Sequence, residues 1–351
     1  MTIRLGVIGA GDVAWRDYLP EIGRLTGASV EVITSMDGRR ARDAATHFSI
    51  PRWGAGVDAV LEADVDAVVN LTPSAAHASI NRQCIGAGKH VYSEKLFAAT
   101  LSDADELINL AAQRGVTLVC APSVMVFPQV RRADETIHRG DVGNMWSVVG
   151  QFLGGRPPWD GYASDPTPFF AAGAGPLRDI GVYPLHAVTG LIGPAHSVVA
   201  YSVKTQASFQ PDDGPMARRR VPVVADDLWH VMLRLRGEVI ATLRSDFATA
   251  GTTAIPDVEI NGEGGSLSLA LIDMTAPLVV HRGGTTETFL APNARAEGPD
   301  HLLGVQHLVD CLTHGTSNLL SAEHARHVIE IIEAAERSAT TGNTVHLTTT
   351  F

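Results

Sequence analysis

Cysteine is scarce in this chain. Only Cys84, Cys120 and Cys311 occur in 351 residues, far apart and without a C-x-x-C spacing. That excludes a disulfide framework and suits buried free thiols in a reducing compartment. Long apolar runs are also missing, since no stretch approaches the ~18 residues of a membrane-spanning helix. The N-terminus reads as a strand without a basic lead or a cleavable apolar run, so no signal peptide is expected. Positive charge is in deficit: the formal net charge is −11, and the only dense basic cluster is Arg218-Arg219-Arg220, between Pro215 and Pro222. That cluster reads as a solvated hairpin, and nucleic acid is excluded as a partner. These absences predict a soluble, cytoplasmic protein with no membrane association.

What is present is an ordinary globular composition, 45% hydrophobic and 19% charged, in a chain long enough for two domains. The segment Ile3 to Ile8 is short, apolar and β-branched, as a buried parallel strand should be. Gly9-Ala10-Gly11-Asp12-Val13-Ala14 then fits the G-x-G-x-x-G/A pattern that joins a first strand to a first helix, expected here from Trp15 to about Leu25. Gly9 permits the tight turn, Gly11 lets a pyrophosphate approach the backbone, and Ala14 lets helix pack closely on strand. Free N–H groups at the helix start complete a place for phosphate. The position between strand and helix favours dinucleotide binding over a plain turn.

Val30 to Ile33 reads as the second strand, and an acid ~20 residues past the glycines would grip a ribose hydroxyl. Ser35 stands there instead, with Asp37, Arg39 and Arg40 following. A small hydroxyl with arginines suits a 2′-phosphate and favours NADP over NAD. The other reading gives the ribose to Asp37 and leaves the arginines on a solvated helix. Ala67 to Leu71 is a further buried strand, followed by Thr72-Pro73, where ligands of open α/β sheets collect. His77 either bonds the ribose or caps the next helix. Gly88-Lys89-His90-Val91-Tyr92-Ser93 leads as turn and strand into Glu94-Lys95 at the same sheet edge. Leu101 to Arg114 reads as a helix capped by Ser102, and Val116 to Val119 as a strand. The first domain, a doubly wound parallel sheet, is expected over 1–122 and the second domain over 123–351.

In the second domain Val130 to His138 reads as a helix and Trp146 to Phe152 as a strand. A long proline- and aromatic-rich loop follows, in which Trp159 either offers a flat face to a sugar ring or anchors the loop. Pro176 then opens an apolar helix reaching Ile192, with Asp179, Tyr183 and His186 on one face at i, i+4 and i+7. Such a stripe is costly to bury unless it is hydrogen-bonded or faces a cleft; the alternative is a satisfied polar seam between domains. Pro184 is expected to remove a helix hydrogen bond, costing ~3 kcal/mol or kinking the helix beneath Tyr183. From His196 onward short alternating strands predict an antiparallel sheet. Two helices, from His301 to Leu312 and from Ala322 to Thr340 with Ser321 as cap, close the chain. His301, His307, His314, His324 and His327 read as surface or cap histidines, with no metal site.

Gly9 to Ala14, Thr72-Pro73 with His77, Gly88 to Val91 ending in Glu94-Lys95, and a hairpin from Val258 to Leu267 together resemble the glucose-fructose oxidoreductase/inositol dehydrogenase/MocA family. The resemblance implies a Rossmann nicotinamide-binding domain joined to an open-faced, mainly antiparallel α+β domain that binds substrate. It implies homodimers or homotetramers formed through that sheet. It also implies oxidation or reduction of a secondary hydroxyl or ketone of a sugar, sugar-nucleotide or cyclitol. By resemblance Lys95 is the catalytic lysine and Glu94 a cofactor neighbour, while Asp179 and Tyr183 match residues facing the nicotinamide. Tyr183 would exchange the hydroxyl proton, with His186 as competitor. Lys95 would lower the phenol pKa and stabilise an alkoxide, and Asp179 would orient Lys95 or hold a sugar hydroxyl. Leu96 stands where the family motif carries proline, which predicts loss of a possible cis bond there. Rival readings are a lyase, epimerase or glycosidase that retains its cofactor, and a non-catalytic NAD(P) or sugar sensor.

Overall fold

A computed structural model describes residues 2–212, 216–249, 256–292, 294–295 and 298–351. Pro215, read above as flanking the arginine cluster, lies outside the described residues. The chain divides into two compact units. One comprises 1–126 and 300–329, and the other 127–299 and 330–351. Residues 300–329 therefore pack with the first unit, although their place in the sequence assigns them to the second domain.

The first unit is built on a six-stranded parallel sheet. Its strands are β1 (Ile3–Ile8), β2 (Ala28–Ser35), β3 (Arg52–Ala55), β4 (Ala67–Asn70), β5 (His90–Ser93) and β6 (Leu118–Cys120), in the spatial order β3-β2-β1-β4-β5-β6. Leu5, Val7, Ile33, Val68, Val69 and Val91 are fully buried, as strands covered on both faces require. Each such side chain contributes about 1.5–3 kcal/mol. The helices are α1 (Gly38–His47), α2 (Asp58–Leu61), α3 (Ser74–Gly86) and α4 (Leu101–Arg114).

The segment after the glycine turn is not a regular α-helix: Ala14–Tyr18 is wound as a π turn and Leu19–Arg24 as a 3₁₀ helix. Pro20, without an N–H, cannot continue an α ladder. The cap of α4 is Thr100, whose Oγ1 accepts the Asp103 N–H at 3.1 Å, because Thr100 has the extended backbone of a cap and Ser102 already lies within the helix.

The second unit opens with α5 (Pro128–His138) and β7 (Met145–Leu153). Helices α6 (Pro176–Asp179) and α7 (Val182–Ile192) follow the aromatic loop. The strands after them are β8 (Ala195–Val203), β9 (Ser208–Phe209), β10 (Val221–Pro222), β11 (Leu228–Leu235), β12 (Ile240–Asp246), β13 (Val258–Gly262), β14 (Gly265–Leu269), β15 (Leu278–Arg282), β16 (Thr285–Phe289) and β17 (Val345–His346). A nine-stranded sheet has the order β16-β15-β14-β13-β7-β12-β11-β8-β17, antiparallel except for the pair β7–β12. Its inner face is apolar, with Val231, Leu233 and Leu235 of β11 at most 1% exposed. On the outer face Val149, Thr242, Met232 and Val199 form one cross-strand row, and Tyr201, Met232 and Val149 are 71%, 50% and 41% exposed.

Two helices, α8 (Leu302–His314) and α9 (Ala322–Thr341), lie between β16 and β17. Ser321 caps α9 through the His324 N–H at 3.2 Å, and Val328, Ile331, Ile332 and Ala335 are among its fully buried positions. His314 is exposed and His301 stands at the N-cap position of α8, in keeping with the surface-or-cap reading, but His301, His307, His324 and His327 are all buried. Imidazole is small enough to enter a core when main-chain groups serve it, as the Leu319 N–H serves His307 Nε2 at 2.9 Å. Cys84 and Cys120 are buried while Cys311 is half-buried, and burial pushes the Cys84 thiol up to about 12, which keeps it inert.

Candidate active site

In the first unit three strand ends converge on one sheet edge. At the end of β1, Gly9 adopts φ +110°, and a Cβ there would lie 2.6 Å from the Leu71 carbonyl oxygen. Only glycine fits. Gly9→Ala should cost about 1–3 kcal/mol, read as a lower Tm in a thermal melt; an unchanged Tm would count against this geometry. At Gly11 a Cβ would meet nothing within 4 Å, so the backbone after the turn faces open space. Ala14 is fully buried, and Ala10, Asp12 and Val13 complete the turn. An accessible glycine backbone at a helix start fits a dinucleotide pyrophosphate.

Ser35 closes β2, and Asp37 caps α1 by accepting the Arg39 N–H at 3.0 Å. The Arg39 Nε also reaches Asp37 at 3.4 Å. These contacts hold the Asp37 carboxyl below its ordinary value, the main-chain bond contributing most. Arg39 and Arg40 stand in the exposed first turn of α1.

Beyond β4, the side chain of Asn70 accepts from the Thr72 hydroxyl at 2.7 Å and donates to Asn81 at 2.8 Å. Asn81, on α3, donates to Ser93 Oγ and to the Phe97 carbonyl, both at 2.9 Å. Asn70, Asn81 and Ser93 are fully buried, so these bonds are needed to offset their desolvation. Beyond β5, Glu94 is buried and its Oε2 accepts the Lys95 main-chain N–H at 2.9 Å. The Tyr18 hydroxyl donates to Glu94 Oε1, and Tyr18 and Tyr92 hydroxyls lie 3.1 Å apart. Burial first, and then the Glu94 charge, push the Tyr18 phenol well up, so it remains a donor. The Lys95–Leu96 peptide is cis, so the replacement of proline by Leu96 does not remove that conformation.

The structure thus brings Gly9 to Val13, Thr72, Pro73, His77, Glu94 and Lys95 to one edge. His77 fits neither role read from the sequence. Both its ring nitrogens face main-chain carbonyls, of Leu96 at 2.7 Å and Thr72 at 2.6 Å. Sequence reading missed Tyr18, Tyr92, Asn70, Asn81 and Ser93. Asn81 carried a faint signal, standing one helical turn after His77 on α3.

In the second unit the helix expected from Pro176 to Ile192 is broken at Ile180–Gly181 into α6 and α7. Asp179 ends α6 and is half-buried, while Tyr183 and His186 lie on α7 and are buried. Pro184 is the third residue of α7, where a helix has no partner for an N–H, so the expected cost does not arise. The Ile180 carbonyl accepts the Tyr183 N–H at 3.2 Å instead. The Tyr183 ring packs on Phe152 at 4.9 Å between centroids. His186 Nδ1 donates to the Val182 carbonyl at 2.8 Å, which makes Nε2 the basic nitrogen of the neutral ring. Trp159 donates to the Gly154 carbonyl at 2.5 Å and meets Tyr162, Phe169 and Phe247 edge-on, contacts that anchor its loop.

A six-stranded doubly wound sheet with an open glycine turn at the end of β1 defines a dinucleotide-binding protein. Residues 3–121 match the oxidoreductase family with an NAD-binding Rossmann fold, and residues 130–268 match the GFO/IDH/MocA C-terminal domain. The chain belongs to the GFO/IDH/MocA oxidoreductase family. It is 34% identical to dTDP-3,4-didehydro-2,6-dideoxy-alpha-D-glucose 3-reductase of Actinomadura kijaniata over 198 residues, 54% of this chain and 56% of the relative. The chain thus spans a little over half the length of that curated relative. A 3-ketoreductase from Actinomadura kijaniata, solved with TDP-benzene and NADP, superposes with a TM-score of 0.75 at 25% identity, covering 96% of this chain and 98% of the other. An oxidoreductase from Agrobacterium radiobacter, solved with NAD+, L-tartaric acid and magnesium, has a TM-score of 0.80 at 18% identity over 99% and 98% of the two chains, a likeness of fold. No helix among the described residues is long and apolar enough to cross a membrane.

Proposed function

We propose that the chain is a cytoplasmic NAD(P)-dependent oxidoreductase acting on a secondary hydroxyl or ketone of a sugar, sugar-nucleotide or cyclitol. The observation that carries this reading is the meeting of the glycine turn, the Thr72 loop and Glu94–Lys95 at one sheet edge. Bound nicotinamide supplies the hydride donor or acceptor. Gly9 to Val13 hold the pyrophosphate, and Thr72, Pro73 and Glu94 shape the rest of the cofactor site. Ser35 with Arg39 and Arg40 take a 2′-phosphate, making NADP the preferred dinucleotide; the use of Asp37 as a helix cap supports this choice.

As the phenolate, Tyr183 accepts the hydroxyl proton during oxidation, and as the phenol it returns that proton during reduction, with His186 the competing base. Lys95 stabilises the developing alkoxide with its charge. Asp179 holds a neighbouring sugar hydroxyl. Buried unbridged thiols support the cytoplasmic assignment. The exposed Tyr201, Met232 and Val149 on the outer face of the second sheet support pairing with a second copy of the chain through that face.

A screen of sugars, inositols and nucleotide-sugars with NADP and with NAD, followed by the absorbance of reduced nicotinamide, tests the reaction. Turnover of at least one carbohydrate with net cofactor reduction is expected. Substrate conversion without net reduction would transfer the reading to a cofactor-retaining lyase or epimerase. Ligand binding with no conversion of any carbohydrate would replace it with a sensor.

A further inference from the structure

His77 is 1% exposed and faces two acceptors. Its Nδ1 lies 2.7 Å from the Leu96 carbonyl oxygen, and its Nε2 lies 2.6 Å from the Thr72 carbonyl oxygen. A carbonyl oxygen only accepts, so each contact is a hydrogen bond only when that nitrogen carries a proton. The two carbonyls belong to different loops, one leaving β4 and the other following Lys95 beyond β5. One turn further along α3, Asn81 repeats the arrangement with neutral groups, bridging Asn70 to Ser93 and Phe97. Helix α3 thus directs two buried polar side chains, at i and i+4, to the segments that carry the proposed site.

We propose that His77 is a positioning residue whose ring ties the Leu96 carbonyl to the Thr72 carbonyl and so fixes the Lys95 loop beside the Thr72–Pro73 loop. This rests on the reading of Lys95 as the catalytic lysine. The doubly protonated ring makes both bonds and the neutral ring makes one. Burial holds the His77 pKa below the usual imidazole value, against the Leu96 carbonyl, the Glu94 carboxylate and the Thr72 carbonyl, which raise it; Lys95 adds to the lowering. The double tie is therefore complete on the acid side and loses one bond as pH rises through that lowered pKa.

The test measures kcat for the wild type, His77→Gln, Lys95→Ala and the double variant from about pH 5 to 8. Glutamine carries its donors on one nitrogen and cannot reach both carbonyls. His77→Gln should lower kcat about tenfold at the acid end, and by no more than about twofold in the Lys95→Ala background, because the two residues act as a unit. The wild-type advantage should shrink toward neutral pH. Equal losses in both backgrounds at every pH would overturn the proposal in favour of a general packing defect. A raised KM for the dinucleotide with kcat intact would also overturn it, returning His77 to a cofactor-binding role.

NMR of the wild type carrying isotope-labelled histidine reads the ring nitrogens with no turnover and no variant that must fold. The His77 resonance, assigned through its proximity to Leu96 protons, should show both nitrogens protonated at the acid end and one at the alkaline end. A ring singly protonated throughout would refute the double tie even in an active enzyme. A fully active Lys95→Ala would remove the catalytic reading of Lys95 and leave the NMR result standing, so the two failures are distinguishable.

Discussion

Tyr183→Phe should lower kcat at least ~100-fold, the scale of general acid–base assistance. The substitution is narrow. Phenylalanine keeps the ring that packs on Phe152 at 4.9 Å and keeps the buried position on α7, so only the hydroxyl is lost. Folding, followed by circular dichroism and Tm, should change little, and dinucleotide affinity should stay within ~3-fold, because the phenol acts on the substrate proton and not on the cofactor. A loss of ~100-fold corresponds to about 2.7 kcal/mol of transition-state stabilisation. Full activity in Tyr183→Phe would pass the proton to His186. With Nδ1 donating to the Val182 carbonyl at 2.8 Å, the neutral form of the His186 ring carries its lone pair on Nε2, the tautomer a base requires. His186→Asn would then show the loss, and a mild effect of both substitutions would remove α7 from the chemistry.

Lys95→Ala should be at least as damaging, again ~100-fold or more in kcat. Its main chain is held independently of the side chain, by the N–H donated to Glu94 Oε2 at 2.9 Å. Glu94 in turn accepts from the buried Tyr18 hydroxyl. Removing the ammonium group should thus leave the loop in place and delete a charge. The expected pattern is a fall in kcat with dinucleotide affinity changed by no more than ~3-fold. A variant that binds cofactor poorly but turns over normally at saturation would make Lys95 a binding residue.

How far the sequence disclosed this arrangement follows from the range of each interaction. The glycine turn, the strands leading to Asn70 and Ser93, and the alternation of β11 depend on neighbours within a few residues, and all are legible. The comparisons bear out the family resemblance and the fold class, a parallel Rossmann sheet followed by a mainly antiparallel one. The partner of Glu94 is Tyr18, 76 positions away, and no local pattern announces such a contact. Buried histidines were misread because a polar residue on a helix is exposed unless distant backbone groups serve it, as Leu319, 12 positions on, serves His307. Pro184 does not break the helix, because it lies in the first turn of α7, and the break falls at Gly181 instead. Local chemistry was readable; pairings set by the fold were not.

Binding of a nicotinamide dinucleotide through the glycine turn of β1 underlies every role proposed for this chain. It is tested most directly by titrating the purified protein, cleared of any cofactor carried over from expression, with NADPH and separately with NADH, following nicotinamide fluorescence. Saturable binding of both is expected, tighter for NADPH, with the preference reduced when Arg39 and Arg40 are replaced. Tighter NADH binding would hand the ribose to Asp37 and overturn only the NADP assignment. Binding of neither would remove the dinucleotide site, and with it the oxidoreductase reading.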